Sequence, residues 1–141
     1  MRICRRRWGR AKAENAKMSD TKGQSALKTR RACLDQAEKL VSAAERLLDD
    51  KPFSNIAYYL AVLALEEVGK GCLIGARNSA GGSNDPGWYD KRLNDHVFKL
   101  TWAIWTPLFG KGQINPKDSE EARQFAKRMH NDHLESLYVE L

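Results

Sequence analysis

Ile56-Ala-Tyr-Tyr-Leu-Ala-Val-Leu-Ala-Leu-Glu-Glu-Val-Gly-Lys70 begins with ten successive uncharged residues and then runs straight into Glu66, Glu67 and Lys70. A segment apolar on every side belongs in the middle of a helical core. Charges at its end must then be paired, solvated at a mouth or used, because an unpaired buried charge is prohibitively costly. The stretch therefore points both to the fold class and to the place to look for chemistry. The longest uncharged run, Phe53 to Leu65, is shorter than the roughly 20 apolar residues of a membrane-spanning helix, and no signal-peptide pattern precedes it. A cytoplasmic protein with no membrane partner is expected.

On the N-terminal side, Cys33, Ala37, Leu40, Val41, Ala44, Leu47 and Leu48 recur at steps of three and four, which predicts an amphipathic helix over about Ala26 to Leu48. Asp49-Asp50-Lys51-Pro52 breaks it, and Ser54 is placed to cap a second helix reaching about Gly75. The run from Asn78 to Gly87, rich in Gly, Asn and Ser with a Pro, reads as the strongest loop of the chain. A third helix is expected from Trp88 to about Trp105, ended by Pro107 and Gly110, with a loop from Lys111 to Asp118. Ala122, Phe125, Ala126, Met129 and His133 then mark one face of a fourth helix beginning near Ser119. No stretch alternates with period two for long enough to argue a sheet. The expected fold is all-α, an antiparallel helical bundle of at least four helices.

The 141 residues fit one domain of ordinary size, and 42% hydrophobic with 30% charged residues is a globular composition. The net charge of +6 looks like a nucleic-acid signal until it is located. Residues 1–17 hold seven Lys or Arg against Glu14 alone, and the remainder carries seventeen side chains of each sign. Arg5-Arg6-Arg7-Trp8 can hold phosphates non-specifically, but a solvated, disordered basic tail over residues 1–24 is the commoner state of such a segment. Met18 is also a candidate start. Cys4, Cys33 and Cys72 lack the close spacing of a zinc or redox motif and read as reduced, structural thiols. The chain stops at Leu137-Tyr-Val-Glu-Leu141; either these residues dock on the bundle or the sequence is cut short, and apolar surface left open would favour a homodimer.

Glu66 and Lys70, four apart in the favourable orientation, suggest a surface ion pair worth about 0.2–0.5 kcal/mol. Glu67 follows Leu60 and Leu63 on one helix face and is the carboxylate expected to turn inward. His96 and Lys99, three apart, are candidate partners, so Glu67, Lys70, His96 and Lys99 form either a polar network that fixes helix register or part of a phosphate-binding cleft. On the fourth helix, Arg123 with His130 and Arg128 with His133 pair a guanidinium with an imidazole. That combination suits metal-independent RNA cleavage, with histidine moving the proton of the ribose 2′-hydroxyl or leaving oxygen and arginine neutralising the phosphorane. His130 and His133 could also share a metal with Glu66, Glu67 or His96, but the paired Glu-x-x-His pattern of bundle-core metal sites is absent, so no metal and no cofactor are expected.

Ala64-Leu-Glu-Glu-Val-Gly-Lys70 at the end of an apolar helix, Asp95-His96-x-x-Lys99 after a variable loop and Leu137-Tyr-Val-Glu140 near the end occur in an order that resembles the AbiV family of bacterial abortive-infection proteins, from about Arg31 onward. The resemblance implies a single helical domain over residues 25–141, grouped with the HEPN superfamily, in a cytoplasmic anti-phage protein that blocks phage development at the infected cell's expense. Many HEPN proteins are dimeric ribonucleases with an Arg-x(4 to 6)-His motif. Arg128-x4-His133 and Arg123-x6-His130 both satisfy that spacing. Two functions follow as expectations: a metal-independent endoribonuclease or RNA-binding toxin using Arg123, Arg128, His130 and His133, or a non-catalytic module that binds and blocks a phage or host protein.

Overall fold

A computed structural model describes residues 3–49, 51–79, 86–109 and 116–136, with side chains placed over 23–49, 52–78, 90–107 and 117–136. The elements in chain order are α1 (Ile3–Leu48), a single 3-10 turn (Lys51–Phe53), α2 (Ser54–Ser79), α3 (Pro86–Asn94), α4 (His96–Phe109) and α5 (Pro116–Glu135). Among the described residues there is no strand, and no helix is long and apolar enough to cross a membrane. The all-α bundle expected from the sequence is the architecture observed.

α2 is the centre of the molecule. It packs against α1 on one side and against α4 and α5 on the other, which is why its sequence is apolar around most of its circumference. Gly71 lies against Cys33, and Gly23 lies opposite Asn78, so α1 and α2 run antiparallel. Cys33 and Ile74 form one core cluster, with Ala26 and Leu93 packed on it. Val62, Leu100 and Ala126 form a second, between α2, α4 and α5, flanked by Leu65, Val97, Ile104 and Met129. Cys33 is a buried free thiol and Cys72 a half-buried one; the side chain of Cys4 lies outside the described residues.

Five boundaries differ from the sequence expectation, the simplest being that α2 continues past about Gly75 to Ser79. α1 begins far upstream of Ala26, continuing through the basic segment, where Ala, Arg, Lys and Met are good helix formers and no proline intervenes. The expected third helix is two helices, because Asp95 caps a new start: its Oδ1 accepts the Phe98 amide at 2.9 Å, and its carbonyl accepts the Lys99 amide at 3.0 Å. Pro107 lies within the last turn of α4 rather than ending it. α5 starts at Pro116 rather than near Ser119; proline is suited to a first helical position, where its missing N–H has no intrahelical partner anyway. Most of the loop expected over 78–87 and the terminal Leu137–Leu141 cluster lie outside the described residues.

The buried faces also sharpen. On α1 the buried or half-buried residues are Cys33, Ala37, Leu40, Ala44 and Leu47, whereas Val41 and Leu48 are exposed. On α5, Ala122, Ala126, Met129 and His133 turn inward and Phe125 does not.

Candidate active site

Val62, Glu66, Gly69 and Leu73 follow steps of four, three and four along α2 and are all buried, and this is the face that meets α4. The contact is close at Gly69, where a side-chain Cβ would stand 1.8 Å from the Lys99 carbonyl oxygen. Glycine is required there by the approach of the second backbone. That approach brings Glu66 under the first turn of α4.

Glu66, 3% exposed, is the inward carboxylate. Its Oε2 accepts a hydrogen bond from His96 Nδ1 at 2.7 Å and pairs with Lys99 Nζ at 3.0 Å. Lys99 is itself buried, while the His96 side chain remains 52% exposed. The Glu66–Lys70 pair expected from spacing is therefore replaced. Lys70 instead meets Glu67 at 3.6 Å on a half-buried flank, where both act electrostatically on Cys33 of α1. Burial raises the Cys33 thiol's pKa; the Lys70 charge opposes that rise and the Glu67 carboxylate adds to it. The physical reason for the exchange is that α2 is covered on two sides. Leu60 and Leu63 lead Glu67 along a half-buried flank, and Glu66, a rotation of about 100° away, enters the α4–α5 side.

α5 completes the cluster. The His130 ring stacks on His96 with centroids 5.4 Å apart, and His133 lies 5.4 Å from His130. His133, 3% exposed, donates its Nδ1–H to the His130 carbonyl at 2.9 Å and stacks on Tyr59 of α2 at 4.9 Å. It is thus a packed support beneath His130. Burial, and then the charges of His133 and His96, lower the pKa of His130, against a smaller opposing pull from Glu66 and Asp95. One ligand-capable atom each from Glu66, His96 and His130 lies within 4.8 Å of the others. Glu66 Oε1 and His130 Nδ1 are buried without a hydrogen-bond partner.

The two arginines are not drawn in. Arg123 and Arg128 are exposed, and Arg128 lies over the Phe125 ring at 5.8 Å. Arg123 is seven residues before His130, within about 20° of the same helix face, whereas Arg128 is rotated from His130 by about 160°. Geometry therefore groups Glu66, His96, Lys99 and His130, puts Arg123 on their flank, and leaves Glu67, Lys70 and Arg128 elsewhere. The sequence reading passed over three further residues: Gly69, the Asp95 cap and Tyr59. Gly69 does carry a signal, since a mid-helix glycine costs about 1 kcal/mol relative to alanine and needs a packing reason.

The family model HEPN_AbiV, described as AbiV, matches residues 25–141. The chain belongs to the AbiV family. Two of the three segments that carry the resemblance meet in space: the Ala64–Lys70 segment brings Glu66 and Gly69, and the Asp95–Lys99 segment brings the cap, His96 and Lys99. AbiV membership points to abortive-infection defence. No curated protein and no solved structure matches the chain.

Proposed function

We propose that this AbiV protein defends the cell by cleaving RNA at the Glu66–His96–His130 cluster without a metal cofactor. The observation that carries the reading is a pair of stacked imidazoles, one held by a buried carboxylate, at a partly open surface. The Glu66 carboxylate fixes the tautomer and orientation of His96 by accepting its Nδ1–H, which directs Nε2 outward. His130, kept neutral by its surroundings, takes the proton of a ribose 2′-hydroxyl. The 2′-oxygen bonds to phosphorus as the bond from phosphorus to the 5′-oxygen breaks, and His96, entering the step with a proton on Nε2 as well as on Nδ1, gives the Nε2 proton to that leaving oxygen. The products are a 2′,3′-cyclic phosphate and a 5′-hydroxyl. Arg123, on the flank of His130, supplies positive charge to the backbone phosphates.

General acid–base groups contribute about 10²–10⁴-fold to rate. Full-length protein in chelator should cleave single-stranded RNA to fragments with cyclic phosphate ends, and His96→Ala or His130→Ala should each lower the rate by at least about 100-fold. Undiminished cleavage in the folded double variant sinks the mechanism.

We also propose that the protein is a homodimer joined through α1. Leu27, Leu34, Val41 and Leu48 are exposed and recur every seven residues, a stripe along that helix that drifts by only about 20° per step. Antiparallel pairing of two copies sets Leu27 against Leu48 and Leu34 against Val41, with Arg31 of each near Glu45 of the other. A monomer whose stripe captures a phage or host protein is the competing outcome.

A further inference from the structure

We infer that Glu66, His96 and His130 form a binding site for one divalent transition-metal ion of the zinc class. The donor set is two imidazoles and one carboxylate, drawn from α2, α4 and α5, with the ligand-capable atoms within 4.8 Å of one another. A tetrahedral zinc ion with bonds of about 2.0–2.1 Å holds its ligand atoms about 3.3 Å apart, so closing the site needs the donor atoms to approach one another by up to about 1.5 Å. Nitrogen-rich donors favour zinc, cobalt, nickel or copper over magnesium or calcium, which prefer all-oxygen sites.

Two atoms of these same residues lack partners. Glu66 Oε1 and His130 Nδ1 are buried without hydrogen-bond partners, and Glu66 as a whole is 3% exposed. An unpaired buried polar atom is costly, and here two such atoms belong to neighbouring members of one ligand-capable cluster. A cation ligated by both atoms would satisfy both. Lys99 holds the other carboxylate oxygen at 3.0 Å, orienting Glu66 in the manner of an outer-shell partner. Three protein ligands leave a fourth position open toward the exposed side of His96.

A metal on these imidazoles occupies the nitrogen lone pairs through which protons would move. On the RNA-cleaving reading, and only on it, the ion is therefore a reversible inhibitor. Because the ligands come from three helices, binding also ties the bundle together and raises its melting temperature by mass action.

The test uses untagged full-length protein, stripped with chelator and then titrated with zinc chloride against a chromophoric competitor. One equivalent should bind and raise the melting temperature; magnesium should do neither. Folded His96→Ala and His130→Gln variants should each lose at least tenfold in zinc affinity. Absence of zinc binding, or wild-type affinity in both variants, overturns the site whatever the RNA result. RNA cleavage measured on the same samples separates the two readings. Cleavage in chelator that stops at one equivalent of zinc supports both. Zinc binding with no cleavage in either condition supports the site and overturns the RNA mechanism. Cleavage only with zinc supports the site and overturns both its inhibitory role and the metal-independent mechanism.

Discussion

Gly69 holds α2 and α4 at the separation on which Glu66, His96 and Lys99 depend, since any Cβ there would collide with the Lys99 carbonyl. Gly69→Ala must push the helices apart despite its better intrinsic helix propensity. Overpacking of this kind costs about 1–3 kcal/mol, so the variant should unfold at lower denaturant concentration and lose zinc affinity together. An unchanged or raised midpoint would show that the backbones are not in contact. His130 gives a pH signature of its own. Its pKa is lowered in the fold from an ordinary 6.5, by burial first and then by His133 and His96. Below 6.5 the unfolded chain takes up a proton that the folded chain refuses. Stability linked to this residue is therefore present above about pH 6.5 and is lost as pH falls from there to the folded value. Melting temperatures measured in chelator between pH 8 and 5 should fall on the acid side, and His130→Gln should flatten that slope. Glu66 and Asp95 face the ring with the opposite sign, so they moderate the slope without reversing it.

At the scale of elements, α1 has two apolar faces with different fates. Cys33, Ala37 and Ala44 are buried against the bundle, whereas Leu34 and Val41 face outward. Replacing both Leu34 and Val41 with Glu should leave the melting temperature nearly unchanged, because surface substitutions seldom exceed about 0.5 kcal/mol. The same variant should shift the mass in light scattering from dimer to monomer. A wild-type protein that is already monomeric at these concentrations removes α1 as a dimer interface. The helices themselves were legible in the sequence, since periodicity and the Asp49–Pro52 break locate α1 and α2 closely at their shared turn. The division at Asp95 was not, because an aspartate inside an apparently helical run becomes a boundary only when its carboxylate turns to the Phe98 amide. Choosing between Glu66 and Glu67 also needed tertiary knowledge. Both adjoin apolar faces of α2, and only the placement of α4 decides which carboxylate is enclosed. His96, Lys99 and His130 were legible as candidates from residue type, but their meeting was not, as it depends on how three helices pack.

For the whole molecule, the question is whether protection against phage depends on chemistry or on contact. The His96→Ala, His130→Ala double variant removes the stacked imidazoles and leaves α1 intact; the Leu34→Glu, Val41→Glu variant does the reverse. In a phage-plating assay at equal protein level, protection should disappear with the histidine variant. Full protection by the histidine variant, with loss in the stripe variant, would assign the defence to binding alone. The positions of the three cluster helices along the chain bear on synthesis as well. A nascent polypeptide that has delivered α2 and α4 to the outside of the ribosome already contains Glu66 and His96, yet it lacks His130 until α5 follows. The three-residue cluster therefore cannot assemble on an unfinished chain that stops before α5. On the RNA-cleaving reading, the order of translation is itself a safety interval for the cell that makes the protein.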